Sequence, residues 1–202
     1  MNFPKTAGQC KYMLALRSSK PIIIGTGPAG TGKTMLACNI ATEHILKHPR
    51  ARVVLTRPIV AADEDMGYLP GDMDQKMEPW TRPMYDIFEQ SMTHNQMDRC
   101  ICIEPLGYMR GRTFNHTLII ADEMQNSTPN QMKLLLTRLG EGTKIVVTGD
   151  LEQSDLEGDN GLENLVYKMQ CTELDYIQHV EMGDDDIVRH PAVKEVLGIL
   201  SK

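Results

Sequence analysis

The sequence predicts an α/β fold in which helices cover both faces of a mostly parallel β-sheet. Two observations lead to this prediction. Short apolar runs rich in β-branched residues recur along the chain without polar alternation, which is typical of strands that are buried on both faces. Segments with helical periodicity lie between these runs, and an alternation of strands and helices favours a doubly wound domain of three layers.

Six apolar runs are the predicted strands, and five periodic segments are the predicted helices. The strands are Ile22–Ile24, Val53–Leu55, Ile101–Ile103, Leu118–Ala121, Ile145–Val147 and Tyr176–Val180. The helices are Lys33–Lys47, Asp74–Met92, Pro129–Leu139, Leu162–Met169 and a last one near Ala192–Leu200. The third helix has the clearest start, because Thr128 supplies a capping hydroxyl directly before a proline at the first helical position.

The stretch Ala61–Met97 departs from this alternation, since it concentrates methionines and prolines and holds the only tryptophan, Trp80. We expect one domain over residues 1–202 that carries this stretch as an insertion. Methionines at irregular spacing are more often adaptable core filler than a site. A lid or a surface for a partner is the alternative interpretation of the insertion.

Composition limits the classes of protein that the chain can represent. With 27 acidic and 21 basic side chains the formal charge is −6, which excludes coating of nucleic acid by bulk positive charge and leaves room for a local basic groove. No apolar run approaches the ~20 residues of a membrane span, and the start lacks a secretory signal. Five cysteines, none in a Cys-x-x-Cys pair, fit neither a disulfide framework nor a four-ligand zinc site. We therefore expect a cytoplasmic protein without a membrane partner.

A glycine-rich loop lies between the first predicted strand and the first predicted helix. It reads GTGPAGTGKT over residues 25–34 and satisfies the spacing GxxxxGK[ST]. Its glycines let successive backbone N–H groups point inward and form an anion nest at a helix N-terminus. Lys33 can reach the β- and γ-phosphates, and the Thr34 hydroxyl can ligate Mg²⁺. The predicted binding residues for ATP are Gly27, Pro28, Ala29, Gly30, Thr31, Gly32, Lys33 and Thr34.

Two carboxylates follow the predicted strand Leu118–Ala121, and ligands bind at the carboxyl ends of parallel strands. Asp122 is predicted to hold Mg²⁺ through its water shell, and Glu123 to polarise the water that attacks the γ-phosphate. Small-molecule kinases need no such glutamate, so Glu123 favours hydrolysis. Gln153, which lies three residues beyond Asp150 after another strand, is predicted to orient the water or to sense the γ-phosphate.

These motifs together resemble the PhoH family, the phosphate-starvation-inducible ATPases. The segments that carry the resemblance are GPAGTGKT, TRPIVAADEDMGYLPGD, EPLGYMRGRTF, IIADEMQNSTPNQMKLLLTRLGEGTKIVVTGDLEQSDL and DIVRHP. The family is similar to the first motor domain of superfamily 1 helicases, so the resemblance implies a RecA-like P-loop fold that binds and hydrolyses ATP. The segment Asp155–Gly161 departs from the Asp-Leu-Pro run of the family. We expect no fused PIN nuclease domain of the kind found in larger family members, and the resemblance therefore carries no nuclease assignment.

The resemblance also implies roles for residues that are unremarkable by themselves. Gln9 alone is interpreted as a surface residue, although a glutamine amide can both donate to and accept from an adenine edge. By resemblance it becomes an adenine reader, and Gln153 a γ-phosphate sensor. Arg57 and Pro58 then belong to a segment that faces nucleic acid in related motors.

Transfer of a γ-phosphate usually needs a cation besides Lys33, and an arginine finger contributes roughly 10³ to 10⁵ in rate. The length leaves room for one motor domain, so we expect a neighbouring subunit to supply the finger. Arg138 and Arg189 rank first, because the resemblance places them near the nucleotide or the subunit edge, and Arg110 and Arg112 follow. A homo-oligomeric ring, hexameric by resemblance, is the expected assembly.

The leading functional prediction is an ATPase that couples hydrolysis to movement on, or remodelling of, RNA or single-stranded DNA. A small-molecule or nucleotide kinase and a nucleotide-dependent assembly switch with little turnover are the alternatives. Aromatic residues make up 5% of the chain, so a continuous base-stacking platform is not expected. The candidate phosphate contacts are Arg57, Lys76, Arg82, Arg110 and Arg112.

Overall fold

The computed structural model of the chain describes residues 4–48, 50–58, 73–156, 158–189, 192, 193, 196 and 199, and for residues 73–80 it describes the backbone. Six strands form one sheet. They are β1 Ile22–Thr26, β2 Arg52–Thr56, β3 Ile101–Ile103, β4 Thr117–Ala121, β5 Lys144–Gly149 and β6 Ile177–Glu181. The order across the sheet is β3-β2-β4-β5-β1-β6, and each of its five strand pairs is parallel. All six predicted strands are confirmed, with ends shifted by a residue or two.

Over the described residues up to 189, six α-helices lie before and between the strands. They are α1 Ala7–Arg17, α2 Lys33–Lys47, α3 Met73–Phe88, α4 His94–Cys100, α5 Pro129–Leu136 and α6 Gly161–Met169. The predicted starts of α2 and α5 are confirmed. The Thr128 hydroxyl caps α5 by accepting from the backbone N–H of Gln131 at 3.2 Å. α5 ends at Leu136, earlier than predicted, because the backbone leaves the helical region at Thr137, where ψ is 1°. Residues 192, 193, 196 and 199 are helical, within the predicted last helix.

The sequence prediction missed α1 and α4. The buried face of α1 includes Gln9 and Ala15, whereas Leu14 is 71% exposed, so the helix lacks a clear apolar stripe. α4 has only seven residues and is marked by a capping box between Thr93 and Gln96 rather than by periodicity.

Two apolar clusters, one on each face, sandwich the sheet. Successive residues of a strand point to opposite faces, so Val53 and Leu55 of β2 pack into the cluster with α1 to α4, while Val54 packs into the cluster with α5 and α6. Both faces of the four inner strands β2, β4, β5 and β1 are therefore buried, which explains why these strands show no polar alternation, whereas the outer strand β6 is only partly buried. None of the helices in the described ranges is long and apolar enough to cross a membrane.

The later part of the stretch Ala61–Met97 packs into the core. Met84, Phe88, Met92 and Met97 are at most 6% exposed and belong to the cluster with α1 to α4. These methionines are core filler, the first of the two interpretations. Residues 59–72 and the side chains of Lys76 and Trp80 lie outside the described residues.

The strand order decides where the predicted site residues meet. β5 lies between β4 and β1, and all three strands run in the same direction. Their carboxyl ends therefore lie side by side at one edge of the sheet, which is where ligands bind in folds of this kind. The loop that begins after Thr26, the acid pair after Ala121 and Asp150 after Gly149 all lie at this edge.

Candidate nucleotide site

The glycine-rich loop joins β1 to α2 and needs glycine for two reasons. Gly27 and Gly30 have φ angles of 139° and 91°, which side-chain-bearing residues rarely adopt. Both glycines also lie against other parts of the chain. A Cβ added at Gly27 would overlap the Met182 carbonyl oxygen, and one at Gly30 would overlap Nε of Arg189. The loop is therefore packed beneath the segment that follows β6.

Lys33 is the first residue of α2 and points back into the loop. Its Nζ donates to the carbonyl oxygens of Gly27 at 2.5 Å and Pro28 at 3.0 Å. Burial lowers the pKa of this amine below the ordinary lysine value. The carboxylates of Asp150, Glu123 and Asp122 act in the opposite direction. The structure thus brings the predicted phosphate-binding lysine within electrostatic reach of Asp122, the predicted metal ligand, and Glu123, the predicted catalytic acid.

Asp122 and Thr34, the two predicted Mg²⁺ ligands, are in direct contact. The Thr34 hydroxyl donates to Asp122 Oδ1 at 2.7 Å, and the Thr148 hydroxyl donates to the same oxygen at 2.5 Å. Asp122 is 8% exposed. A hydroxyl and a carboxylate are hard oxygen ligands, and Mg²⁺ commonly takes one or two protein oxygens with water and phosphate oxygens completing its shell. The chemistry of this pair therefore fits the predicted ion.

Glu123 occupies a backbone conformation that is rare for a residue with a side chain. Its φ angle is 52°, in the left-handed region, at the start of a 3₁₀ turn over Met124–Asn126. Such conformations cost of the order of 1–3 kcal/mol and concentrate at functional sites. The Gln125 amide donates to Glu123 Oε2 at 2.5 Å. The Glu123 carboxylate lies close enough to Lys33 to act on the pKa of its amine.

The segment after β6 ties the loop to the start of α1. Val188 N–H donates to the Gly30 carbonyl at 3.0 Å, and Asp186 accepts from Gly8 N–H at 2.9 Å and Gly183 N–H at 3.1 Å. Burial by itself raises the pKa of the Asp186 carboxyl. Its hydrogen bonds, which include one from the Thr6 hydroxyl, outweigh burial and leave the pKa below the ordinary aspartate value.

Gln9 is not a surface residue, so the interpretation from its sequence context alone is wrong. It is fully buried, its Nε2 donates to the Thr31 carbonyl at 3.0 Å, and its Oε1 accepts from Lys5 N–H at 2.8 Å. The partner at Thr31 lies 22 residues away, which no local pattern reveals. Contact with adenine stays a prediction, and each end of the amide keeps one further hydrogen-bonding position.

The two leading arginines lie at opposite edges of the sheet. Arg189 packs on Gly30 of its own phosphate loop. Arg138 lies beyond the end of α5, and its guanidinium donates to the carbonyls of Leu134 at 3.1 Å and Arg112 at 2.9 Å. This place is next to the amino ends of the strands, because Arg138 O accepts from Phe114 N–H just before β4. Arg138 cannot act on its own loop from there.

The remaining predicted residues have mixed surroundings. Arg112 forms an ion pair with Glu104 at 2.5 Å, and Arg82 pairs with Asp86 at 2.9 Å. Arg57 is half-buried directly after β2, at the edge of the sheet that carries the loop. Gln153 is exposed in the loop after β5, where its N–H donates to the Asp150 carbonyl at 3.3 Å.

The sequence prediction missed several side chains that build the site. Thr148 and Gln125 bond the two predicted acids, and Asp186 holds the covering segment. Gln125 lies two residues after Glu123, and Thr148 directly precedes Gly149. Their closeness in sequence to the predicted acids was the only pattern that could have indicated a role in the site. Their roles depend on contacts between distant strands and loops.

Comparison with known proteins shows the family of the chain. The sequence model of the family described as PhoH-like protein matches residues 3–201. The chain belongs to the PhoH family. A PhoH-like protein of Bacillus subtilis (strain 168) is 42% identical over 204 residues, which covers 98% of this chain and 63% of that relative. This PhoH-family chain therefore spans less than two thirds of the length of that relative.

Solved structures confirm the fold of this PhoH-family chain. The large terminase of a thermophilic bacteriophage, solved in complex with ADP, has a TM-score of 0.59 and 14% identity and covers 98% of this chain and 50% of its own. The Pif1 helicase of Candida albicans has a TM-score of 0.51 and 18% identity and covers 100% of this chain and 44% of its own. Identities this low show the fold alone, and the predicted RecA-like P-loop fold is confirmed.

We predict that Asp186→Asn destabilises the protein by about 1.5–3 kcal/mol at pH 7, the usual contribution of hydrogen bonds to a charged group. Because the folded-state pKa is lowered, the contribution of the carboxylate is complete above the unfolded pKa of about 3.9 and is lost as pH falls through the folded value. The difference between wild type and variant should therefore shrink below about pH 4. Urea unfolding at a series of pH values measures it.

Asp185→Asn is the matched control, because Asp185 is an exposed neighbour in the same turn. It should change stability by less than about 0.5 kcal/mol. Equal losses in the two variants would show that the charge of the turn, rather than the contacts of Asp186, holds the segment.

Proposed function

We propose that this chain binds ATP together with Mg²⁺ and hydrolyses the γ-phosphate bond. The observation that carries the proposal is the convergence of Lys33, Asp122 and Glu123 at one edge of the sheet. The Thr34–Asp122 hydrogen bond of 2.7 Å joins the loop to the acid pair. Both acids also raise the pKa of the Lys33 amine, against the effect of burial. A cation, an ion-binding pair and a base within one site form the minimum set for phosphoryl transfer to water.

Thr34 and Asp122 would hold the Mg²⁺ ion. When bound, the ion neutralises charge on phosphate oxygens. The rest of the binding falls to the protein. The loop N–H groups cradle the phosphates at the start of α2, and Lys33 supplies a positive charge that its neighbouring acids help to keep.

Glu123 is the proposed general base. One of its carboxylate oxygens accepts from Gln125, and the other is left to take a proton from the attacking water. Gln153, exposed in the loop after β5, is the proposed group that orients this water or senses the γ-phosphate. A strained glutamate beside the loop favours hydrolysis over transfer to a small-molecule hydroxyl, where no water has to be activated.

The arginines divide by their position. Arg189 lies on its own loop and is proposed to act within the same chain on the bound phosphates. Arg138 lies at the opposite edge and can serve only the loop of another copy. We propose a homo-oligomeric ring in which Arg138 of one subunit completes the site of the next. A closed ring with head-to-tail contacts brings unlike edges together at every interface.

RNA or single-stranded DNA is the proposed partner of hydrolysis. Arg57 follows β2 at the same edge as the site, and its neighbour Thr56 accepts from Asp122 N–H at 3.0 Å. A phosphate backbone that contacts Arg57 would therefore act one residue away from a partner of the proposed Mg²⁺ ligand. Arg110 is exposed and offers a further contact.

We predict that Glu123→Gln lowers steady-state phosphate release from ATP by about 10²-fold or more, the usual contribution of a general base, while ATP binding persists. Phosphate release and nucleotide affinity are measured separately. Glu152→Gln is the matched control, since Glu152 is exposed in the neighbouring loop. Unchanged release in Glu123→Gln would favour the assembly switch, and a phosphorylated product formed from labelled ATP would favour a kinase.

We predict that Lys33→Ala and Arg138→Ala subunits restore activity when mixed. An Arg138→Ala site keeps Lys33, and it receives the missing arginine wherever the adjacent subunit is Lys33→Ala. About a quarter of the sites in a random 1:1 ring have this arrangement. A mixture of Lys33→Ala and Arg189→Ala subunits should stay inactive. Because Arg189 is proposed to act within its own chain, every site that keeps Lys33 in this mixture lacks Arg189. Recovery in the second mixture would show that Arg189 acts between subunits.

We predict that single-stranded RNA or DNA stimulates phosphate release, and that the stimulation falls as salt rises because phosphate contacts release counterions. Arg57→Ala should weaken the stimulation because Arg57 directly follows β2 at the edge of the sheet that carries the loop, while Arg82→Ala, within α3, should affect it less. Absence of both stimulation and binding at low salt would remove nucleic acid from the proposal.

A further inference from the structure

Gln125 is one of the most deeply buried polar residues near the site, and both ends of its amide are occupied. It is 2% exposed in the 3₁₀ turn that follows Glu123. Its Nε2 donates to Glu123 Oε2 at 2.5 Å, and its Oε1 accepts from Asp150 N–H at 3.1 Å. The side chain therefore bridges the acid after β4 and the backbone after β5.

Glu123 needs such a partner because its own backbone does not fix the carboxylate. It lies in a left-handed conformation between the end of β4 and a single 3₁₀ turn. A glutamate side chain loses considerable rotamer freedom when it is held in one position. The amide of Gln125 selects one position by donating to one of the two oxygens, which leaves the other oxygen for a water molecule.

The anchor of Gln125 is rigid. Asp150 follows β5, which pairs with strands on both sides. Gly149 leaves room for the amide, since a Cβ there would lie 2.8 Å from Gln125 Oε1. The backbone carbonyl of Gln125 also accepts from the Ser154 hydroxyl at 3.0 Å.

The next residue of the turn strengthens the same connection. Asn126 Nδ2 donates to Asp155 Oδ2 at 2.9 Å, and Asp155 N–H donates back to Asn126 Oδ1 at 2.9 Å. The turn after Glu123 and the loop after β5 are therefore joined at three successive points. Movement of that loop would be transmitted to the Glu123 carboxylate through the Gln125 amide.

We infer that Gln125 is a positioning residue that sets the orientation of the Glu123 carboxylate toward the attacking water. The inference rests on the proposed hydrolysis of ATP. Its specific content is that the N–H donor of Gln125, and not merely the volume of its side chain, is required. Gln125 touches neither phosphate nor water in this role, and it acts through Glu123.

The substitution Gln125→Glu tests the donor directly. The introduced carboxyl keeps an acceptor for Asp150 N–H but places a negative charge against Glu123 where the amide donated. We expect kcat to fall about 10- to 100-fold at pH 8, a part of the usual contribution of a general base, with the Kd for ATP changed less than about twofold. The deficit relative to wild type should shrink toward pH 6, because a protonated carboxyl regains a donor.

Two further variants separate the donor from packing and from charge. Gln125→Met keeps most of the volume without a donor, so its deficit should not diminish at low pH. Gln170→Glu makes the same chemical change at an exposed position at the end of α6 and should match wild type. A wild-type kcat for Gln125→Glu, or a deficit that is the same at every pH, would overturn the inference.

A second measurement needs no activity. Thermal midpoints without nucleotide are compared for Glu123→Gln, Gln125→Glu and the double variant. We expect Gln125→Glu to lower the midpoint by about 3 °C or more, and the double variant to recover at least half of this loss, because the exchanged pair restores a donor facing an acceptor. Additive shifts would show that the two side chains do not interact. A wild type that hydrolyses no ATP would instead remove the proposed function, and the thermal comparison would still decide the contact.

Discussion

The carboxylate of Asp122 is the interaction on which the rest of the site depends. It directly follows β4 and accepts from Thr34, at the start of α2, and from Thr148, near the end of β5. Because β5 lies between β4 and β1, these two bonds join the ends of three adjacent strands. A buried carboxylate is costly unless it is hydrogen-bonded, so the same requirement that satisfies Asp122 also fixes the loop against the acid pair. The position of Glu123 follows from that of Asp122, the residue directly before it.

Buried polar side chains hold the phosphate loop from the other side as well. Gln9 of α1 bonds the Thr31 carbonyl, and Asp186 joins the start of α1 to the segment that covers Gly27 and Gly30. A loop rich in glycine has high conformational entropy in the unfolded chain. Hydrogen bonds from both sides offset the entropy lost when the loop is ordered. They do so better than apolar packing would, because they satisfy polar groups of the loop that would otherwise be buried without hydrogen bonds.

The strands were predictable because burial on both faces leaves a local mark, a short apolar run such as Ile22–Ile24. The loop was predictable because phosphate binding constrains residues that are adjacent in sequence. Gln9 was not, since a buried glutamine differs from an exposed one only through a partner 22 residues away. The helix that carries it was missed for the same reason, because Gln9 occupies a core position of α1. Contacts between distant segments decide these features, and local patterns do not contain them.

Arg138 and Arg189 rank equally as candidate arginine fingers in the sequence, but they lie at opposite edges of the sheet. Their possible roles therefore differ. Parallel strands make the edges chemically different, and each connecting helix runs from the carboxyl edge back to the amino edge. α5 has eight residues and so carries the chain about 12 Å away from Thr128 before Arg138 is reached. An arginine after such a helix is removed from its own phosphate loop, whereas Arg189 follows a strand and stays at the loop edge. In the proposed ring, Arg138 would therefore reach the loop of another copy, whereas Arg189 would act on its own loop. Three of the 27 acids, Asp122, Glu123 and Asp150, lie near Lys33 at this edge, so part of the net charge of −6 belongs to the candidate site itself.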